Sequence, residues 1–252
     1  MITKKINIKK NNGEKLSAVL DAPESIRYPL IIFCHGFGGN KDEWLSFIPE
    51  FSKNNIAVLR FDFSGHGESG GDFEDTTLTR ELDDLLSVYE YVQKQLPRVS
   101  TVGLFGHSLG GTVAIYFSTA KKVSTVVSVA APINFQKMPE GIFGKDAEKT
   151  WKEKGYLKLD WYNNKKIKYS LYEDLIKYDP KQILPMVKTP VMIIHGDADD
   201  TVPVEDSKET YNIVSGAKSL KIIAGAGHNF NSQKERDEIL ASTMFWLSRW
   251  LK

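Results

Sequence analysis

Apolar residues along the chain fall into two kinds of run. Short continuous blocks of buried-strand type occur at Leu30 to Cys34, Ile56 to Phe61, Val99 to Phe105, Val123 to Ala130, Val191 to Ile194 and Ser219 to Ile223. Between most of them the spacing lengthens to that of an amphipathic helix, as in Leu78, Leu82, Leu85, Leu86, Tyr89 and Val92. This alternation predicts an α/β fold with a mostly parallel central sheet and helices on both faces, because a parallel connection needs a crossover of helix length. The start of the chain reads differently. Ile6-Asn7-Ile8 and Leu16-Ser17-Ala18-Val19-Leu20 alternate like strands around Asn12-Gly13, which predicts an antiparallel hairpin. At the other end, Asp237 to Leu251 repeats apolar residues at helical spacing and predicts a closing helix.

One segment departs from the alternation. From about Ile133 to Pro185 no strand signal of comparable strength appears, yet the segment holds Phe135, Phe143, Trp151, Tyr156, Trp161, Tyr162, Tyr169, Tyr172 and Tyr178. An insertion of this length, leaving one strand's C-terminal end and returning before the next strand, should lie over the sheet edge where ligands bind. It reads as a cap at 133–185 on a single domain spanning 1–252. Any one aromatic can serve simply to hold the cap to the body, but as a group they suit the lining of an apolar pocket. Trp161 and Tyr169 are the candidates from this group for substrate contact.

Composition narrows the partners. Hydrophobic residues make up 41% and charged residues 26% of the 252, the balance of a globular protein and not of a disordered one. The 33 basic and 32 acidic residues leave a net charge of +1, so no global field draws the chain to nucleic acid or to an anionic membrane. Cys34 is the only cysteine, which rules out an intramolecular disulfide and a cysteine-based metal site. No run has the length of a signal peptide or a membrane span, and the expectation is a cytoplasmic enzyme acting on a small molecule.

The chemistry concentrates at Gly106-His107-Ser108-Leu109-Gly110, which lies directly between a strand-like run and the helix-like run Gly111 to Ala120. A strand that reverses at once into a helix forces the turn residue into a strained backbone conformation and projects its hydroxyl from the sheet edge. Any Cβ at Gly106 or Gly110 would crowd that crossing. The helix start also leaves backbone N–H groups unpaired, and that of Leu109 points where an oxyanion would form. Gly67-Glu68-Ser69-Gly70-Gly71 matches the same pattern, but no strand precedes it and no helix follows until about Thr77, so Ser69 reads as a loop serine.

A serine hydroxyl needs a base. Of five histidines, His228 stands in a loop immediately after the last strand-like run, free of strand geometry, whereas His35, His107 and His195 each abut a glycine at a strand end and His66 lies in a glycine-rich loop. The base needs a carboxylate in turn, and Asp197, Asp199 and Asp200 follow the strand Val191 to Ile194. Asp197 suits a role in loop hydrogen bonding and Asp199 sits further out, but spacing alone does not choose between them. His107, the variable position of the pentapeptide, is a further candidate for pocket contact.

The sequence resembles α/β-hydrolase-fold serine esterases, with motifs agreeing in order across nearly the whole chain. These are His35-Gly36-Phe37-Gly38-Gly39, the loop Asp62-Phe63-Ser64-Gly65-His66-Gly67-Glu68-Ser69, the serine pentapeptide, and Gly196-Asp197-Ala198-Asp199-Asp200-Thr201-Val202-Pro203. The Gly70 to Asp75 continuation, the length and the medium-sized cap make it similar to bacterial cinnamoyl or feruloyl esterases, with monoacylglycerol lipases close in pattern. The resemblance implies a catalytic set of Ser108, Asp199 and His228. It also implies an oxyanion hole from the amides of Phe37 and Leu109, with Gly36 allowing close approach of the backbone to substrate. It implies no metal or organic cofactor, and an ester of a hydroxycinnamoyl or short-to-medium acyl group as substrate. An imidazole base must be neutral to act, so activity is expected to fall as pH drops through roughly 6 to 7. A thioesterase, aminopeptidase or acyltransferase could use the same residues. For an aminopeptidase, the acids Glu140, Asp146, Glu148, Glu153 and Asp160 of the cap could hold a free amine. A non-catalytic ligand-binding protein would be expected to lack part of the set, and a dehalogenase or epoxide hydrolase would carry aspartate in place of Ser108.

Overall fold

A computed structural model of the chain describes residues 1–137, 144 and 146–252. Glu140 and Phe143, named above as cap residues, lie outside the described residues. The predicted hairpin is present: β1 (Ile2–Lys9) and β2 (Lys15–Ala22) pair antiparallel from Ile2 opposite Ala22 to Lys9 opposite Lys15. Gly13 in the turn has φ 91°, a conformation that a side chain resists. Ile6 and Ile8 are buried while Lys5, Asn7 and Lys9 are exposed, as the alternation requires.

The six apolar blocks all become strands of one sheet. They are β3 (Tyr28–Cys34), β4 (Ala57–Phe61), β5 (Val99–His107), β6 (Val126–Val129), β9 (Val191–Gly196) and β10 (Lys218–Ile223), with β7 (Tyr156–Leu159) and β8 (Lys165–Lys168) in the insertion. The eight-stranded sheet has the order β1-β2-β4-β3-β5-β6-β9-β10. Only β2 runs against its neighbours; the others are mutually parallel. Successive residues of each central strand face opposite cores. Leu30, Ile32 and Cys34 enter one, packed by α2 (Leu78–Gln95) and α3 (Leu109–Ala120), while Ile31 and Phe33 enter the other, packed by α1 (Ile48–Lys53) and α8 (Gln233–Trp250). The closing helix starts at Gln233, four residues before the apolar period predicts. Its first turn is fixed by a polar signal, the reciprocal hydrogen bonds of Ser232 and Glu235, which hydrophobic spacing does not report.

The segment joining β6 to β9 contains α4 (Ala147–Lys154), α5 (Ser170–Leu175), α6 (Pro180–Ile183) and a two-stranded antiparallel sheet of β7 (Tyr156–Leu159) and β8 (Lys165–Lys168). The hairpin forms where the sequence carries no strand signal comparable to those of the main sheet. Each strand has four residues and only Leu159 and Ile167 are buried, too few to write an apolar block. The turn carries Asn163 and Asn164 at φ 52° and 55°, a region that asparagine tolerates better than most residues.

Two buried carboxylates tie the insertion to the body. Asp206 of α7 (Val204–Ile213) accepts from the Ile133 and Asn134 amides at 2.8 and 3.1 Å, and Asp174 of α5 accepts from the Thr79 amide at 2.8 Å in the first turn of α2. The aromatic residues divide between two tasks. Trp151, Tyr169 and Tyr172 pack on one another and Tyr178 stacks on Tyr116 of α3, whereas Trp161 and Tyr162 reach Phe37 and Phe73 of the body.

Candidate active site

Ser108 follows β5 and precedes α3 at φ 52° and ψ −126°, the strained turn predicted for a residue wedged between strand and helix. Its amide donates to the Val129 carbonyl of β6 at 2.8 Å, which fixes the turn to the neighbouring strand. The flanking glycines are steric necessities. A Cβ on Gly106 would lie 2.2 Å from the Gly110 carbonyl oxygen, and one on Gly110 would lie 2.4 Å from the carbonyl oxygens of both Cys34 and His35. Ser69, by contrast, is a loop tie: its hydroxyl donates to the Asp62 carbonyl at 2.6 Å and accepts from the Ser17 amide at 2.8 Å.

The loops after β9 and β10 bring the other two residues to the serine. His228 Nε2 lies 3.0 Å from Ser108 Oγ, and His228 Nδ1 lies 2.8 Å from Asp199 Oδ2. With a carboxylate at Nδ1, that nitrogen carries the proton and Nε2 is left to accept from the hydroxyl. The Asp199 side chain is fully buried. It also accepts from His195 Nε2 at 3.1 Å and from the amides of Thr201 and Val202 at 2.9 and 2.8 Å. Burial opposes its ionisation, but these hydrogen bonds, with that from His228, prevail and hold the carboxyl well below the usual range.

Position separates the three aspartates where spacing did not. Asp197 Oδ1 accepts from the Gly225 amide at 2.6 Å and braces the acid loop against the histidine loop, while Asp200 is exposed and accepts from Thr201 Oγ1 at 3.2 Å. His195 goes unassigned by sequence reasoning and proves to be the second partner of Asp199. It is buried, with Nδ1 2.6 Å from Ser207 Oγ and Nε2 3.0 Å from the Val202 carbonyl. Its place four residues before Asp199, next to the last residue of β9, is the only local hint.

Beside the serine runs the loop His35 to Gly39. A Cβ on Gly36 would touch Ser108 Cβ at 3.3 Å, so the backbone passes directly against the nucleophile position. Among the described residues the Phe37 amide donates to no acceptor, and Leu109, first in α3, has no intrahelical partner for its own amide. The loop is held by groups on three sides. Gly36 N–H donates to Glu43 at 3.0 Å, Gly39 N–H to the Gly36 carbonyl at 2.9 Å, and Gly38 N–H to His66 Nε2 at 3.3 Å. His35 Nε2 accepts from the Phe63 amide at 3.0 Å and its Nδ1–H donates to the Gly36 carbonyl at 2.8 Å. Burial, with the nearby His35, pushes His66 down to about 3, and burial lowers His35 as well. Both rings stay neutral and keep a lone pair for an amide.

Of the four candidates for substrate contact, the structure brings Gly36 and Trp161 to this loop. Trp161 is 59% exposed, stands edge-on to Phe37 with ring centroids 6.2 Å apart, and would meet a Cβ on Gly38 at 3.1 Å. Tyr169 packs on Trp151 and Tyr172 within the insertion. The His107 ring is buried beside that of His228, with Nδ1 on a Glu43 carboxylate oxygen and Nε2 on the His228 carbonyl oxygen at 3.0 Å. Glu43 was not foreseen at all. Cys34 is buried in β3, where burial pushes its thiol pKa far up. Among the described residues no cluster of three or more His, Cys, Asp or Glu is placed to hold a metal ion, and no helix is long and apolar enough to cross a membrane.

The chain is similar to several known proteins. It is 28% identical to an uncharacterized 31.7 kDa protein of the traX-finO intergenic region of Escherichia coli, over 86% of this chain and 89% of that one. It is 30% identical to the mitochondrial palmitoyl-protein thioesterase ABHD10 of Bos taurus, over 69% of this chain and 58% of that one. Among solved structures, Est1E from Butyrivibrio proteoclasticus with ferulic acid bound superposes with a TM-score of 0.80 at 25% identity, covering 97% of this chain and 100% of that one. The sequence model of the alpha/beta hydrolase family matches residues 31–242, and with the sheet order and the serine turn described above, the chain belongs to that family of hydrolases and has its fold.

Proposed function

We propose that the protein is a serine carboxylic-ester hydrolase that works through an acyl-enzyme on Ser108. The observation that carries this reading is the continuous line from Asp199 through His228 to the Ser108 hydroxyl, at 2.8 and 3.0 Å. As Ser108 Oγ attacks the ester carbonyl carbon, its proton passes to His228 Nε2, and Asp199 steadies the imidazolium that forms. The carbonyl oxygen becomes an oxyanion, received by the amides of Phe37 and Leu109. Collapse of this intermediate breaks the bond to the alcohol oxygen, which takes the proton back from His228. Water then enters, gives a proton to His228 and attacks the acyl carbon; the acid leaves and Ser108 recovers its proton.

For substrate we favour a hydroxycinnamoyl or short-to-medium acyl ester. The exposed Trp161 indole beside Phe37 offers a flat apolar wall next to the oxyanion loop, and the similar Est1E structure holds ferulic acid. The second reading is a thioesterase, which the bovine relative favours. Labelling with a fluorophosphonate, abolished in Ser108→Ala, tests the nucleophile. Initial rates on methyl ferulate, p-nitrophenyl esters of two to eight acyl carbons and an acyl-thioester of matched length then choose between the readings. A wild-type protein that neither labels nor turns over any of these overturns the esterase assignment.

A further inference from the structure

His107 takes part in none of the steps above, yet its ring centroid lies only 5.1 Å from that of His228. Both His107 nitrogens face oxygens that only accept: a carboxylate oxygen of Glu43 and the backbone carbonyl of His228. A neutral imidazole has one N–H and satisfies one of them; the doubly protonated ring satisfies both. The other Glu43 oxygen accepts from the Gly36 amide at 3.0 Å, so the same carboxylate holds the loop that carries the Phe37 amide. One carboxylate and one ring therefore join residues 36, 107 and 228.

We propose that Glu43 and the His107 imidazolium form a largely buried ion pair that positions His228 over Ser108 and the Gly36–Phe37 loop beside it. Neither residue touches substrate; both are positioning residues, and their proposed effect on turnover rests on the reading of Ser108 and His228 given above. Burial works against charge on each group. Even so, Glu43 raises the His107 pKa above its ordinary value, and His107 with the Gly36 amide draws Glu43 down to about 2. The surroundings are compatible with the pair. The Asp199 carboxylate, bonded to His228, acts on His107 in the same direction as Glu43, and His35 acts on Glu43 in the same direction as His107. Arg236 of α8 is engaged elsewhere, donating to the backbone carbonyls of Glu43 and Phe230 while its guanidinium covers the Trp44 ring. The Trp44 and Phe230 rings stand edge to face with His107.

A ring whose pKa is raised keeps its proton below that value and loses it as pH rises through it. The remaining N–H then stays with the carboxylate, and the bare Nε2 lone pair faces the His228 carbonyl, so His228 is displaced and kcat falls on the alkaline side. Glu43→Gln separates charge from shape. The amide can donate to Nδ1 and accept from Gly36, leaving a neutral ring with its Nε2–H on His228.

The test compares kcat and KM from pH 6 to 10 in the wild type, Glu43→Gln and Glu43→Ala, with ring ¹H–¹⁵N spectra of the histidines. Expected are an alkaline limb in wild-type kcat that disappears in Glu43→Gln, and a fall in kcat of about tenfold to a hundredfold in Glu43→Ala with little change in KM. One histidine should show both ring nitrogens protonated at pH 7.5 in the wild type and not in Glu43→Gln. A singly protonated His107 at that pH, or an alkaline limb unchanged in Glu43→Gln, overturns the proposal. Because the spectra do not depend on turnover, they judge the ion pair even if Ser108→Ala retains activity and the esterase reading falls.

Discussion

Asp199 shows how much one buried side chain can be asked to do. Its two oxygens accept four hydrogen bonds, two from histidines and two from its own loop. Replacing it by asparagine turns one acceptor oxygen into an N–H donor facing the imidazole and favours the wrong tautomer of His228. Asp199→Asn is expected to lower kcat on any reactive ester by on the order of a thousandfold to ten-thousandfold. Asp197→Asn keeps an acceptor for the Gly225 amide and should cost far less, and a steady-state comparison of the two variants reads the difference. The neighbouring glycines act by absence. Gly106 and Gly110 are set by contacts within and beside the serine turn, and the first of these is local enough to be read from the pentapeptide. Glu43 is the opposite case. Nothing around it in the chain marks it, because its partner His107, 64 residues away, meets it only after β3 and β5 have paired.

The insertion behaves as a set of elements pinned at chosen points. Asp174 of α5 accepts both the amide and the hydroxyl of Thr79, 95 residues away, and so places a carboxylate at the positive end of α2. Asp174→Ala is expected to destabilise the protein by about 1 to 2 kcal/mol, read by urea denaturation. Limited proteolysis should locate the loosening in residues 146–190. The helices and long strands were legible because their apolar periods extend over many residues. The hairpin β7–β8 was not, since two four-residue strands with one buried residue each depend on the body beneath them for their burial.

In the candidate site, Ser108, Asp199, His228 and the Phe37 amide stand at the C-terminal edge of the parallel strands, on turns after β3, β5, β9 and β10, so the whole sheet sets the distances. Its electrostatics also set the acid limit of the molecule. His35 and His66 are buried and neutral, with folded values lowered from 6.5, that of His66 to about 3. For such a base the unfolded chain binds more protons, so stability is full above the unfolded value and falls as pH drops below it. Each histidine should remove about 1.4 kcal/mol per pH unit below about pH 6, until its own folded value is reached. Glu43, drawn down from 4.5 to about 2, contributes stability that is present above its unfolded value and lost as pH falls through its folded one. Urea midpoints between pH 7 and 4 should therefore decline well above the carboxylate range, and His66→Gln should flatten part of that slope.

The alternating apolar blocks, the Asn12-Gly13 turn and the strand-Ser108-helix pentapeptide were readable along the chain because each is enforced by neighbours a few residues apart. Sterics and periodicity act at that range. Which aspartate meets His228, why His107 turns inward to Glu43, and which aromatic residues of the insertion reach the Gly36–Phe37 loop were decided only when strands far apart in sequence came side by side. Hydrogen bonds of 3 Å and the loss of water at buried charges depend on distance in space, and linear spacing carries no record of it.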